Sequence, residues 1–150
     1  MSVCPKSCRK SVTQSEPHFP IEIFYDGACA VCAAEIEHYL RQDRDGQLIA
    51  RDISSPDFVP EEYQISLADF RHELHVIDRG GHIYRGVAAF WAIWQAFPNA
   101  ISYRFMSMII TAPLLNPVAR LLYRGFARIR PYLPKRHNCN SGTCYVDQRH

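Results

Sequence analysis

Two cysteines near the start of the chain have the spacing of a redox pair. Cys29 and Cys32 are separated by two residues in the segment YDGACAVC. A helix is expected to begin here, and the free N–H groups of its first turn and its dipole would favour an anion. We therefore predict that the pKa of Cys29 lies below the ordinary value of about 8.5 and that Cys29 is the attacking thiolate. Cys32, one turn further along, is predicted to be the buried thiol that resolves the mixed disulfide.

An aspartate precedes this pair in the same turn. Asp26 is followed by Gly27, a combination that is typical of a turn. One interpretation is that Asp26 accepts the proton of Cys32 during exchange. The other is that its carboxylate caps the turn or the helix by accepting backbone N–H groups. The sequence leaves both roles open.

The remaining cysteines lie near the two ends of the chain, at Cys4, Cys8, Cys139 and Cys144. Zinc sites use the same CxxC spacing, but a structural zinc site generally needs four ligands, and a second CxxC is absent. A zinc or other metal site that combines the central pair with terminal cysteines therefore stays an alternative. Cys139 and Cys144 could also form a second redox pair that relays electrons to the first, or could be exposed and unpaired.

Composition limits the class of protein. The 150 residues are 47% hydrophobic and 21% charged, which is typical of one globular domain, and the net charge of +2 does not indicate a nucleic-acid partner. No apolar signal segment stands in the first twenty residues, and no uninterrupted apolar run is long enough to span a membrane. We therefore expect a cytoplasmic protein without an integral membrane segment, in a compartment where thiols are usually reduced.

The elements that must position the pair follow from periodicity and turn residues. Strands are predicted at 21–25, 48–53, 74–77 and 82–85, and helices at 29–43, 66–70, 86–97, 102–111 and 117–130. Trp91 and Trp94 are expected in the core. The apolar residues of the last helix, which are Val118, Leu122, Phe126 and Ile129, are expected to form a buried stripe.

One parallel βαβ unit joined to one antiparallel hairpin predicts an α/β, thioredoxin-like fold with a mixed four-stranded sheet, flanking helices and an added C-terminal helical segment. The predicted organisation is a mobile arm at 1–20, the domain at 21–134, and a polar tail with cysteines at 135–150.

Three segments resemble the DCC family of predicted thiol-disulfide oxidoreductases. They are DGACAVC, which matches the D-G-x-C-x-x-C signature, LHVIDRGGHIYRGVAAFWAIWQAFP and LLYRGFARIR, and together the resemblance covers about 21–131. It implies a thioredoxin-like fold and a redox activity that uses the Asp and the two Cys. Thioredoxins also place a cis-proline before the third strand. Residues 65–77 contain no proline here, which makes Arg71 or His72 the candidate for that place.

These observations predict an enzyme, a protein-disulfide oxidoreductase that needs no bound cofactor. Cys29 would attack a disulfide-containing protein or a small thiol substrate, and Cys32 would resolve the product. Besides the metal-binding alternative, a thioredoxin-like interaction module without turnover stays open.

Overall fold

Four strands form one mixed sheet in the computed structural model, which describes residues 16–112 and 115–135. The strands are β1 Ile21–Tyr25, β2 Leu48–Asp52, β3 His75–Ile77 and β4 Ile83–Arg85, in the spatial order β2-β1-β3-β4. Strand β1 is parallel to β2 and antiparallel to β3, which pairs with β4 in a hairpin. This sheet confirms the predicted α/β, thioredoxin-like architecture. The central position of β1 explains its continuous β-branched and aromatic sequence, since both of its faces are covered.

Helices cover the sheet at positions close to those predicted. They are α1 Ala30–Gln42, α2 Leu67–His72, α3 Val87–Trp94, α4 Ile101–Thr111 and α5 Asn116–Ile129, with short 3₁₀ turns at Pro60–Tyr63 and Arg130–Tyr132. Helix α3 ends three residues before the predicted end. Its C-terminal carbonyls accept hydrogen bonds from N–H groups three residues along, from Ala96 to Ile93 and from Phe97 to Trp94. The chain tightens there because Pro98 disfavours a helical residue before it.

The core lies on both faces of the sheet. On one face, Trp91 and Trp94 of α3 are only 8% and 6% exposed, which confirms their predicted core position. The Trp94 indole N–H donates to the Tyr39 hydroxyl at 3.0 Å and so ties α3 to α1. On the other face, Phe24 and Phe70 are fully buried against each other. Burial of each such ring contributes roughly 1.5–3 kcal/mol, and this core fixes β1, which carries the turn before the cysteine pair.

The prediction of a buried stripe on α5 is wrong. Val118, Leu122 and Ile129 are 51%, 70% and 55% exposed, and only Phe126 is partly covered. The helix instead contacts the core through Tyr123, whose ring meets Phe90. Apolar periodicity identifies a helix face, but it does not show whether another element of the same chain covers that face.

Helices α4 and α5 are a candidate pair for a membrane-spanning segment. Within the described residues, neither these helices nor any other single helix has the length and apolar character needed to cross a membrane. The two helices meet the criterion only when they are taken together, and they are bent by 102° relative to each other.

The end of the predicted N-terminal arm contacts the β3–β4 turn. The His18 N–H donates to the Asp78 carboxylate at 3.1 Å, and the Arg79 N–H donates to the His18 carbonyl at 2.9 Å. Residues 1–15, with Cys4 and Cys8, lie outside the described part of the chain. The division into arm, domain and tail therefore stays a prediction.

Candidate dithiol site

Cys29 is the N-cap residue of α1. Its backbone is extended, with φ −84° and ψ 113°, and its carbonyl accepts the first helical hydrogen bond, from Ala33, at 2.9 Å. The Cys29 sulfur accepts the backbone N–H of Cys32 at 3.4 Å. The expected location of the pair, after the first strand and at the start of the first helix, is therefore confirmed. One amide of the opening turn is directed at the sulfur of Cys29, as the helix-end argument requires.

The two sulfur atoms lie next to each other. The Cys32 thiol donates to the Cys29 sulfur, and the two sulfurs are 2.7 Å apart. Burial, followed by this hydrogen bond, raises the pKa of Cys32 to about 12, although the nearby Arg130 guanidinium opposes the rise. In the reduced protein, the Cys32 thiol therefore stays protonated at neutral pH and donates a hydrogen bond to the Cys29 sulfur.

The expectation that Cys32 is the more buried of the two cysteines is wrong. Cys29 is only 5% exposed, whereas Cys32 has intermediate exposure. Residues 133–135, which we call the C-terminal strap, pass over Cys29. Lys135 forms an antiparallel bridge with Cys29, and the Ala30 N–H donates to the Pro134 carbonyl at 3.3 Å. This cover comes from the far end of the domain, so local spacing around the pair contains no sign of it.

Asp26 holds the turn that precedes the pair. One oxygen of its carboxylate accepts the Ala28 N–H at 3.1 Å, and the other lies 3.6 Å from the Arg130 guanidinium. The Asp26 carbonyl also accepts the Cys29 N–H at 3.1 Å. These contacts are those expected of a turn residue, and they bring Asp26, Cys29 and Cys32 together.

A second aspartate, not identified from the sequence, supports the same turn. One oxygen of Asp52, at the end of β2, accepts the Gly27 N–H at 2.9 Å, the Ser54 N–H at 2.8 Å and the Ser54 hydroxyl at 2.6 Å. A Cβ atom on Gly27 would lie 2.1 Å from the other Asp52 oxygen. The glycine of the signature is therefore required by the close approach of the Asp52 carboxylate. The signal available in the sequence was the position of Asp52 at the end of the strand parallel to β1.

Two cavities flank the pair, one beside each cysteine. The Cys32 cavity is about 420 Å³ and is largely apolar, with walls that include Ile36, Phe90 and Phe126. The Cys29 cavity is about 440 Å³, and its charged lining residues are Asp26, Arg71, Arg130 and Lys135. Arg130 lines both cavities. Of the two residues proposed to replace the thioredoxin proline, Arg71 lines the same cavity as Cys29.

Other predicted residues are not brought to this site in the part of the chain described. Cys139 and Cys144, like Cys4 and Cys8, lie outside the described residues, so the second redox pair and the terminal metal ligands stay predictions. Within 16–112 and 115–135, no group of three or more His, Cys, Asp or Glu side chains could hold a metal ion. Arg130 has no signal of its own in the sequence, although it belongs to the segment LLYRGFARIR that resembles the family.

The fold and the paired thiols at the start of α1 define a thioredoxin-like dithiol protein. The chain matches the family model of the DCC1-like thiol-disulfide oxidoreductases over residues 23–136, which is more than half of its length, and it belongs to that family. A curated relative from Arabidopsis thaliana, "Uncharacterized protein At5g50100, chloroplastic", is 30% identical over 80 residues. That match covers 52% of this chain and 37% of the relative, less than two thirds of its length. No solved structure matches the chain significantly.

Proposed function

We propose that this chain exchanges thiols and disulfides through Cys29 and Cys32, with Cys29 as the attacking thiolate. Cys29 attacks one sulfur of a substrate disulfide, a mixed disulfide forms, and the other substrate sulfur leaves and takes up a proton. Cys32 then attacks the Cys29 sulfur, which closes the internal disulfide and releases the second substrate thiol. Two electrons pass from the protein pair to the substrate, and the reverse sequence oxidises a substrate dithiol.

One observation carries this assignment of roles. The Cys29 sulfur accepts both the Cys32 thiol, at 2.7 Å, and the Cys32 amide, at 3.4 Å. Hydrogen bonds to a sulfur favour its anion, whereas the Cys32 thiol, with its pKa raised to about 12, stays protonated. The asymmetry supports attack by Cys29 and resolution by Cys32.

A thiol as weakly acidic as Cys32 must lose its proton before it can resolve the mixed disulfide. We propose Asp26 as the acceptor, because its carboxylate lies in the turn that precedes the pair and its charge acts on the Cys32 thiol. General-base assistance contributes a factor of 10²–10⁴ in typical cases, so Asp26→Asn should slow resolution by roughly 100-fold. The first attack by Cys29 should change much less, so the mixed disulfide should accumulate.

The test follows each cysteine separately by differential alkylation and peptide mass spectrometry. The reduced full-length chain is mixed with 2-hydroxyethyl disulfide, a small neutral substrate. The Cys32→Ser variant should accumulate a mixed disulfide on Cys29, and the matched Cys29→Ser variant should form almost none on Cys32. Equal labelling of the two variants would contradict the assigned roles, and the absence of exchange in the natural chain would leave only a binding role.

Elemental analysis of protein purified without chelator tests the metal-binding alternative. About one zinc per chain, released together with the protection of the thiols, would favour that alternative over exchange chemistry. We also propose a cytoplasmic location for this chain, whereas the name of the Arabidopsis relative assigns that protein to the chloroplast.

A further inference from the structure

We propose that the Cys29 cavity binds the carboxylates of a small anionic disulfide, so that the substrate is a low-molecular-weight peptide disulfide of the glutathione kind. This inference rests on the proposed exchange at Cys29 and adds a class of substrate to it. It is carried by the charge of the cavity, by one buried guanidinium and by the cover over Cys29.

The charge around Cys29 is predominantly positive. Arg71, Arg130 and Lys135 line the cavity, against a single carboxylate from Asp26. These cations come from three different elements: α2, the 3₁₀ turn after α5, and the C-terminal strap. Negatively charged groups that enter the cavity would therefore be attracted toward the sulfur of Cys29, and positively charged groups would be repelled.

The Arg130 guanidinium has N–H donors that no protein group accepts in the described part of the chain. Its side chain is only 11% exposed, and within the described residues its buried Nε atom has no hydrogen-bond partner. The other nitrogens donate to the Arg71 carbonyl at 3.3 Å and approach the Asp26 carboxylate at 3.6 Å. The buried Nε cannot be reached from the cavity, but each terminal nitrogen carries two N–H groups and has one protein partner. A guanidinium offers its donors in a planar fork that matches a carboxylate, so a substrate carboxylate in the cavity can accept the N–H groups that remain.

The size of the cavity favours a small molecule over a folded protein. The space beside Cys29 is about 440 Å³, which is in the range of ordinary ligand sites. Cys29 lies beneath the C-terminal strap and is 5% exposed. A disulfide on the surface of a folded protein would have to displace the strap, whereas a small disulfide needs only to enter the cavity.

The reaction balances with the thiols of the protein as the only reductant. The Cys29 thiolate forms a bond to one sulfur of the anionic disulfide, whose sulfur–sulfur bond breaks and releases one substrate thiol. Cys32 then displaces the second substrate thiol from Cys29. The protein ends as the Cys29–Cys32 disulfide. One released substrate thiol takes the proton that Cys32 gives up through Asp26. The other takes a proton from water, which balances the one that Cys29 lost when it became a thiolate.

The experiment compares three small disulfides that differ in charge. Oxidised glutathione is anionic, 2-hydroxyethyl disulfide is neutral and cystamine is cationic. The rate at which each one oxidises the reduced Cys29–Cys32 pair is measured. The rate with oxidised glutathione is divided by the rate with 2-hydroxyethyl disulfide, so that a change in the intrinsic reactivity of the thiols cancels from the ratio. Coulomb's law in water gives roughly a threefold effect for each cation about 6 Å away. We expect the double variant Arg71→Ala/Lys135→Ala to lower this ratio by about tenfold.

Matched controls separate charge from damage to the fold. Arg71→Lys keeps the positive charge and should keep most of the ratio. Arg44→Ala removes an exposed cation that lies beyond the C-terminal end of α1, about 20 Å from Cys29, and should not change the ratio. In the natural chain, raising salt from about 50 mM to about 500 mM should slow oxidised glutathione, accelerate cystamine and leave the neutral disulfide nearly constant.

Two failures can be told apart. If all three disulfides oxidise the pair but the ratio is insensitive to salt and to the double variant, the anionic substrate class is wrong and the dithiol function stands. If none of the three oxidises the pair, the proposed function itself fails.

Discussion

Replacing Gly27 with alanine tests whether the Asp52 carboxylate holds the turn before the cysteine pair. The new Cβ atom would lie 2.1 Å from one Asp52 oxygen and 2.5 Å from its carboxyl carbon, so the carboxylate must move. Its other oxygen would then lose two or three hydrogen bonds to Gly27 and Ser54. Since hydrogen bonds to a charged group contribute roughly 1.5 kcal/mol each, we expect Gly27→Ala to lower the free energy of unfolding by about 2–4 kcal/mol.

Urea unfolding, followed by the fluorescence of the two buried tryptophans, measures this change. Gly125→Ala is the matched control, because Gly125 lies inside α5 with nothing near the added atom, and this variant should gain about 0.5–1 kcal/mol. In an Asp52→Ala background, Gly27→Ala should cost less than about 1 kcal/mol, since the clash is gone. An unchanged midpoint for Gly27→Ala, or an equal loss in both backgrounds, would refute the reasoning.

Three further predictions follow from the burial and placement of single residues. Burial lowers the pKa of His75, so the unfolded chain binds a proton that the native state resists. The free energy of unfolding should therefore fall as the pH drops below about 7, and it should fall less steeply in His75→Phe. In Cys29→Ser, burial should keep alkylation of Cys32 slow until well above pH 9, and a midpoint at or below 9 would contradict this. Lys135 of the strap lies next to Cys29, and the four residues from Lys135 to Cys139 can span up to about 13 Å. We therefore expect the Cys32→Ser/Cys144→Ser variant, oxidised with diamide, to form a Cys29–Cys139 disulfide that peptide mass spectrometry detects.

The elements that position the site could be predicted because their signals are local. The β-branched run of β1, the Asp26-Gly27 turn and the helical pattern after Cys29 stand next to one another in the sequence. These signals were sufficient to predict a mixed four-stranded sheet as well, since one parallel βαβ unit and one antiparallel hairpin supply its four strands.

The surroundings of the sulfurs could not be predicted, because they depend on contacts between distant segments. The cover over Cys29 comes from Lys135, and the cation beside Cys32 comes from Arg130. The same limit explains the error on α5. Val118 and Leu122 have the spacing of core residues, but whether they are covered depends on where the whole helix lies.

The late position of the C-terminal strap in the chain has a consequence for biosynthesis. A ribosome makes the cysteine pair more than a hundred residues before Lys135, and domains form as their segments emerge. During that interval α1 can fold with both thiols accessible from the side that the strap later closes. The thiols of a newly made chain should therefore react more readily with oxidants and alkylating agents than those of the folded protein. Truncation or cleavage that removes residues 133–135 should make the two thiols of the folded protein equally accessible.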